Sequence, residues 1–479
     1  MHDIVQSLSG IRGDTRISLN PDLCRRYGFA YGKILKEESV DIKGAIVVGG
    51  DSRPSYGPLV KALVEGISGA GWKKIINVGI SPTPAVQFAV RFFKARGGCI
   101  VTGSHTEPQF NGLKFLDRDG GMIRKKTFDK LIENLPEIFK FANPKPVWKD
   151  QAEKTKEGYI NYLVRLIGEE NIESVKNAKF KVVFDPNGGA ASEYLVLLAK
   201  KLGLKHKIIN GRLGAFNRVI EPTPGALEKL LAGVDEDKAD LGFAFDCDAD
   251  RVEMVLPSGE RYSRENSPFV DGQYVLSLLV DDVLSRDKTA HLKSIVVNDA
   301  TSTVVHEVAK KHGAKVIEVE TGEINVVEEM ERQNSPVGGE GSSSGGIFPP
   351  SKCRDGFLTM AMILRMAAVR KMSLSDILLT YPKIFTVREK LDCPHDSQLV
   401  ARLRLHDFFL QNGYRVKTSG GPTGGLKVFF SETSFVWFRA SKTEAGKFRV
   451  FAESRDAEES KRLLALAIER FNKIVSKGE

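Results

Sequence analysis

Short apolar runs of β type alternate with segments of helical period along most of this chain, the pattern of sheets joined by crossover helices. Leu23, Tyr27, Ala30, Tyr31 and Ile34 recur at helical spacing, and residues 45–48 follow as a buried strand. Leu59, Leu63 and Ile67 mark the next helix, residues 75–78 the next strand, and residues 99–102 a strand that runs into Gly103-Ser104. A second unit repeats the scheme: strand at 180–184, helix at 190–202, an apolar stretch at 227–231, and strand at 241–245 running into Asp246. The third has a strand at 295–297, a helix at 302–311, a strand at 316–319 and a polar Gly/Ser loop at 338–346, read as mobile.

The repetition extends to detail. Ser81-Pro82-Thr83-Pro84 and Glu221-Pro222-Thr223-Pro224 each precede an apolar helix in corresponding places, which argues for duplicated cassettes. From about Met372 the pattern changes to β-like runs at 385–391, 436–439 and 449–452 with helices at 398–411 and 457–474, a smaller α+β domain. The expected architecture is therefore α/β: three similar mixed-sheet domains plus a C-terminal α+β domain around a central cleft. The expected boundaries are 1–150, 151–256, 257–371 and 372–479, with the polar segment 143–156 as first linker. Ligands of open α/β sheets bind beyond the carboxyl ends of strands, where Ser104, Asp246 and Glu340 all fall.

Composition narrows the class. The 479 residues are 42% hydrophobic and 27% charged, as in folded globular chains. The most apolar window, 357–369, is interrupted by Thr359 and Arg365 and is too short to span a membrane. Residues 1–12 lack the apolar core of a secretory leader, so a cytoplasmic protein without membrane contact is expected. Five scattered cysteines show neither disulfide nor zinc spacing. The net charge of +9 comes from small basic clusters without interleaved aromatics, which argues against nucleic acid and is compatible with an anionic small substrate.

Four loops carry chemistry. In Asp246-Cys247-Asp248-Ala249-Asp250-Arg251 three carboxylates stand two apart, so an extended chain turns all three to one side, toward a hard cation. An EF-hand is excluded, because the sixth position is Arg251 rather than Gly and the twelfth is Pro257 rather than Glu. Three Asp oxygens on Mg²⁺ leave open positions for water or phosphate. Arg251 either clamps the same phosphate or neutralises the carboxylates. In Thr102-Gly103-Ser104-His105, followed by Asn111-Gly112-Leu113-Lys114, a strand-end serine has a proton-handling group and a fixed cation nearby; a plain turn serine is the alternative. Arg439-Ala440-Ser441-Lys442-Thr443 offers guanidinium donors and two hydroxyls suited to a phosphate monoester, or forms an ordinary charged hairpin. Glu340, within a run of Gly and Ser, suits sugar hydroxyls or is part of a flexible connector.

In this order the loops resemble those of the α-D-phosphohexomutase superfamily, which includes phosphomannomutase, phosphoglucomutase and phosphoglucosamine mutase, over nearly the whole chain. Gly345-Gly346-Ile347-Phe348-Pro349 with Arg354-Asp355-Gly356 is most similar to the archaeal branch. The resemblance implies a phosphoprotein enzyme in which phosphoserine 104 donates its phosphoryl group to a hexose monophosphate, giving a 1,6-bisphosphate that returns the other phosphate. It implies Mg²⁺ on Ser104, Asp246, Asp248 and Asp250, and glucose 1,6-bisphosphate as activator. Arg12, from Ser9-Gly10-Ile11-Arg12-Gly13, joins His105, Lys114 and Arg251 as catalytic residues. Glu340, Ser342 and Glu323 of Thr321-Gly322-Glu323 bind sugar, and Arg439, Ser441, Thr443 and Lys442 bind phosphate. The four domains then carry phosphoserine, metal, sugar and phosphate in turn, and the protein is expected as a monomer or homodimer.

The chain departs from the family pattern at Gly103 for Ala, Thr106-Glu107 for Asn-Pro, Cys247 for Gly, and Lys442 with Ala445-Gly446 in the phosphate loop. The sugar loop is two residues longer, which leaves Ser342, Ser343 and Ser344 as alternatives for the sugar contact. His105, Lys114 and Glu323 are the candidates for general base. A metal-dependent phosphatase and a catalytically silent sugar-phosphate binder are the rival readings.

Overall fold

β-branched and glycine-rich runs form the buried strands Ala45–Gly50 and Gly97–Val101 and the partly exposed strand Lys74–Ile80, which pair in parallel. The structure, a computed structural model, describes residues 4–38, 44–138, 147–260, 262, 267–341, 344–422, 424–441 and 446–477. The parallel core is extended by antiparallel strands Phe110–Leu116, Gly10–Asp14 and Val5–Ser7, and at the other edge by Val147–Asp150. Segment 143–156, expected as a linker, thus contributes at 147–150 an edge strand, and the helix Ala152–Ile167 follows. Helix Pro21–Glu38 buries Leu23, Tyr27, Ala30, Tyr31 and Ile34, the stripe that its period predicts.

The second sheet has the order Phe269–Val270, Val252–Val255, Leu241–Phe245, Lys181–Asp185 and Lys205–Ile208, its last three strands parallel. Both sheets belong to one compact unit, residues 1–259, 268–270 and 345–372. The apolar window at 357–369 lies in the helix Gly356–Arg370 of this unit, buried along nearly its whole length, and Arg365 donates from Nη1 to the Ile167 carbonyl at 3.0 Å.

The second unit comprises residues 260–267, 271–344 and 373–479. Here Ser294–Asn298 lies between Lys315–Val319 and Gly338–Gly339, parallel to both. The C-terminal sheet is antiparallel throughout, in the order Phe385–Asp392, Lys447–Ser454, Phe435–Ala440, Leu426–Phe429 and Arg415–Thr418. Leu405, Phe409, Leu463, Ala467 and Phe471 from its two helices join Val428, Val436, Phe438 and Val450 in one core. No helix of the described residues is long and apolar enough to cross a membrane.

Candidate active site

Ser104 lies three residues past the strand Gly97–Val101 with φ of 54°, a left-handed conformation uncommon for a residue with a side chain. The turn is held from beneath by Arg53, a buried guanidinium whose role the sequence reading missed. Arg53 donates from Nη2 to the carbonyls of Ser104 (2.8 Å) and Thr106 (2.5 Å) and from Nη1 to those of Glu107 (2.5 Å) and Phe110 (3.0 Å), while Nε pairs with Asp51 at 3.1 Å. The Thr102 hydroxyl donates to Asp51 at 2.6 Å and accepts from the Ser104 amide at 2.8 Å. Gly103 is explained by this packing, since a Cβ there would stand 2.7 Å from Arg53 Cζ and 2.8 Å from the Thr106 hydroxyl. Glu107 is exposed, and its carbonyl, rather than its carboxylate, serves the turn. The one available signal for Arg53 was its place in a charged loop just beyond a parallel strand.

The Ser104 hydroxyl is 3.3 Å from His105 Nδ1. Arg251 foremost, then burial and Arg12, push His105 down to about 2, so the imidazole is neutral at ordinary pH and a poor proton acceptor.

Asp246, Asp248 and Asp250 follow directly from the strand Leu241–Phe245, and all three are buried. Ala249, between two of them, has φ of 53°, which bends the loop and gathers the carboxylates; one oxygen from each lies within 4.8 Å of the others. Asp246 Oδ2, Asp248 Oδ1 and Asp250 Oδ1 are buried without hydrogen-bond partners, a costly state that a hard cation would relieve. The donor set therefore fits Mg²⁺. Burial, then Asp250 and Asp248, push the Asp246 carboxyl well above the usual range. Burial raises Asp248 too, but Lys114, the Thr83 hydroxyl and Arg251 outweigh it and hold Asp248 below that range.

Lys114 Nζ bonds Asp248 Oδ2 at 2.8 Å and lies 3.6 Å from Asp250 Oδ2. Its position follows from register, because Lys114 pairs with Ile100 on the strand that ends at the serine turn. The duplicated Pro-Thr-Pro segments both reach this loop. Thr83 donates its hydroxyl to Asp248 Oδ2 at 2.6 Å and its amide to the Asp248 carbonyl at 2.9 Å, and Glu221 Oε1 accepts from Arg251 Nη1 at 3.2 Å. Arg251 Nε lies 3.9 Å from both Asp246 and Asp250. Half-buried Arg12 feels Arg251, Asp248 and Asp250, and burial with Arg251 lowers its pKa. Arg354, which the sequence reading quoted without assigning a role, is buried with Nη2 at 3.6 Å from Asp250 Oδ2. Cys247 is buried with Sγ 3.9 Å from the Ser52 hydroxyl.

The second unit holds the other predicted residues. Glu340 is buried directly after Gly338–Gly339 and accepts from the Gly322 amide (2.8 Å) and Asn298 Nδ2 (3.2 Å), so at this position the loop is fixed rather than mobile. Glu323 is half-buried and opens the helix Glu323–Gln333. Ser344 is buried with an unpartnered hydroxyl. Arg439 donates from Nη2 to the Thr321 carbonyl at 3.1 Å, and Ser441 is half-buried, its amide bonded to the Lys447 carbonyl at 2.8 Å. Ser342, Ser343, Lys442 and Thr443 lie outside the described residues.

Comparisons with known proteins show the family of the chain. Residues 4–140, 157–259 and 271–384 match the descriptions "Phosphoglucomutase/phosphomannomutase, alpha/beta/alpha" domain I, domain II and domain III respectively. The chain is 32% identical over 465 residues to a phosphoglucomutase/phosphomannomutase of Thermococcus kodakarensis, with 96% of each chain covered. It is 31% identical over 381 residues to a phosphoglucosamine mutase of Caldanaerobacter subterraneus subsp. tengcongensis, covering 78% of this chain and 81% of that one. The crystal structure of a phosphoglucomutase/phosphomannomutase family protein from Burkholderia thailandensis shares the fold, with a TM-score of 0.80 at 23% identity over 98% of this chain and 97% of that one. The chain belongs to the phosphoglucomutase/phosphomannomutase family.

Proposed function

We propose that this enzyme is a phosphohexomutase that interconverts a hexose 1-phosphate and the hexose 6-phosphate, with mannose or glucose as the sugar, through phosphoserine 104 and a 1,6-bisphosphate. One observation carries the reading: three buried carboxylates with orphaned oxygens share a unit with a left-handed strand-end serine, and Lys114, Arg12, Arg251 and Arg354 surround those carboxylates. A dianionic phosphoryl group needs such an excess of cations, because phosphoryl transfer is catalysed chiefly by positioning and by stabilising charge.

Mg²⁺ held by Ser104, Asp246, Asp248 and Asp250 would supply divalent charge against the phosphoryl oxygens. The chain's own residues do the rest. Arg53 fixes the Ser104 turn, Lys114 and Thr83 fix Asp248, and Arg12 and Arg251 face the transferred group. The serine is only 2% exposed, and a mutase must keep its phosphoenzyme from hydrolysis. Glu340, Glu323 and Ser342 are assigned to the sugar, and Arg439, Ser441, Lys442 and Thr443 to the phosphate that is not reacting. Glucose 1,6-bisphosphate is assigned as activator. The domains 1–150, 151–256, 257–371 and 372–479 are assigned to phosphoserine, metal, sugar and phosphate respectively, in a cytoplasmic protein.

Phosphoglucosamine mutase is the second reading, because a relative of that name is 31% identical to this chain over 78% of its length. A coupled assay with the 1-phosphates of glucose, mannose and glucosamine, Mg²⁺ and glucose 1,6-bisphosphate decides between them. Ser104→Ala is expected to abolish turnover with every sugar. Release of inorganic phosphate in place of isomerised sugar would identify a phosphatase, and an unphosphorylated Ser104 by mass spectrometry with no turnover would identify a silent binder.

A further inference from the structure

Arg439 closes the strand Phe435–Ala440 and is 8% exposed. Its Nη2 donates to the Thr321 carbonyl at 3.1 Å and lies 3.5 Å from Glu320 Oε1, whereas Nε is buried without a partner. The segment facing it is built with care. Asp299 Oδ1 accepts from the Thr321 amide (3.1 Å) and hydroxyl (2.7 Å), and Asp299 Oδ2 accepts from the Ser419 hydroxyl. Gly420, at φ of 63°, makes the room that the Glu320 carboxylate occupies, since a Cβ there would fall 2.0 Å from Oε2. Glu320 also lines a cavity of about 530 Å³ with Asn325, Glu328, Lys417 and Ser419, so the carboxylate has space to leave.

A carboxylate and a phosphate monoester present similar oxygens to a guanidinium fork. We propose that Glu320 is an internal stand-in for the substrate phosphate, holding Arg439 when no phosphate is bound and competing with phosphate for it. The inference rests on the reading of Arg439 as a phosphate ligand. The unpartnered Nε marks the guanidinium as incompletely used in this state, with capacity left for an incoming anion. A bisphosphate intermediate must exchange its two phosphates, so the grip on the distal one has to be released in every cycle. A carboxylate ready to take Arg439 back lowers the cost of release, at the expense of affinity.

The test is calorimetric titration of inorganic phosphate and of glucose 6-phosphate into full-length wild type, Glu320→Gln, Arg439→Met and the double variant, at low salt with Mg²⁺. Glu320→Gln is expected to bind both probes roughly tenfold tighter and to lower KM without raising kcat. Arg439→Met is expected to weaken binding, and the double variant to match it. Glu320→Asp, which shortens the reach by one methylene, is expected to show a smaller gain and serves if the Gln variant folds poorly. A gain of affinity is not what loss of a structural prop produces. Equal or weaker binding by both Glu320 variants, with Arg439→Met still impaired, overturns the inference and leaves the Arg439 reading standing. Unchanged binding by Arg439→Met overturns both.

Discussion

Replacing Lys114 with methionine keeps the aliphatic stem and removes one charge from the most crowded electrostatic environment in the first unit. Lys114 is 7% exposed, bonds Asp248 at 2.8 Å and stands 3.6 Å from Asp250. Breaking a buried pair by deleting one partner typically costs about 3–5 kcal/mol. Arg251 at 3.9 Å from Asp246 and Asp250, and Arg354 at 3.6 Å from Asp250, remain as partial compensation, which favours the lower end. At roughly 2–4 °C per kcal/mol for units of this size, a loss of about 3 kcal/mol lowers Tm by roughly 6–12 °C.

The oxygens used by Lys114, Oδ2 of Asp248 and of Asp250, differ from the orphaned Oδ1 atoms of the same carboxylates. A divalent cation held by these carboxylates would have oxygens available that the lysine does not use. Removing the lysine raises the negative charge left for the metal, so Mg²⁺ is expected to raise Tm more in Lys114→Met than in wild type, by linkage. Lys114 helps depress Asp248, so this stabilisation is present above the ordinary aspartate pKa and is lost as pH falls below it. Thermal melts at pH 7.5 and pH 3, with and without Mg²⁺, test each point. Equal melting temperatures at pH 7.5 with equal responses to Mg²⁺ would refute the assignment of Lys114 as counter-ion of the trio.

Two further outcomes follow from the same unit. Gly103→Ala, although it restores the residue usual in the family, is expected to displace Arg53, cost about 1–3 kcal/mol and lower turnover, read by urea melts beside the coupled assay; unchanged stability would contradict the packing at 2.7 Å. Asp355, buried, caps the helix Gly356–Arg370 through Leu358 N, accepts from Tyr159, and is raised by burial from 3.8 to about 6. Its protonated form is favoured in the folded state, so its contribution is complete below pH 3.8 and is lost as pH climbs through 6. Asp355→Asn should gain on wild type by about 3 kcal/mol between pH 4 and pH 7 in urea melts, and parallel pH curves would exclude the effect.

Periodicity located the strands around residues 45, 99, 181, 241 and 295 because each is buried on both faces, and the half-exposed strand around residue 75 because it still carries an apolar run. It passed over Gly10–Asp14, Phe110–Leu116 and Val252–Val255, which add antiparallel pairs and carry Arg12, Asn111, Lys114 or Glu253 at positions where an apolar run would be sought. Those interruptions are the chemistry itself, as Arg12 and Lys114 are charged because the carboxylates need them. Arg53 shows the opposite case. Its four carbonyl acceptors lie 51 to 57 residues downstream, so no local pattern announces it.

The two units differ in how they treat charge, and the difference follows from what each is assigned to hold. In the first, three carboxylates face Lys114 and three arginines, and three carboxylate oxygens are still left without hydrogen-bond partners, which a cation would satisfy. In the second, charges are largely matched within the fold: Glu318 is buried between Lys417 (2.7 Å), Lys427 (2.6 Å) and His306 (3.2 Å), and these partners outweigh burial to hold its carboxyl below the usual range. Arg439 keeps a buried Nε without a hydrogen-bond partner, as Ser344, Trp437, Glu453 and Arg470 of the same unit keep one polar atom each, and it has a carboxylate 3.5 Å from Nη2. A site that binds its ligand only in passing should be nearly satisfied without it, whereas a site that stabilises a transferring phosphoryl group should be left strained until its ligands arrive. At the carboxylate trio three oxygens and Arg251 Nε are left without hydrogen-bond partners, against Nε alone on Arg439.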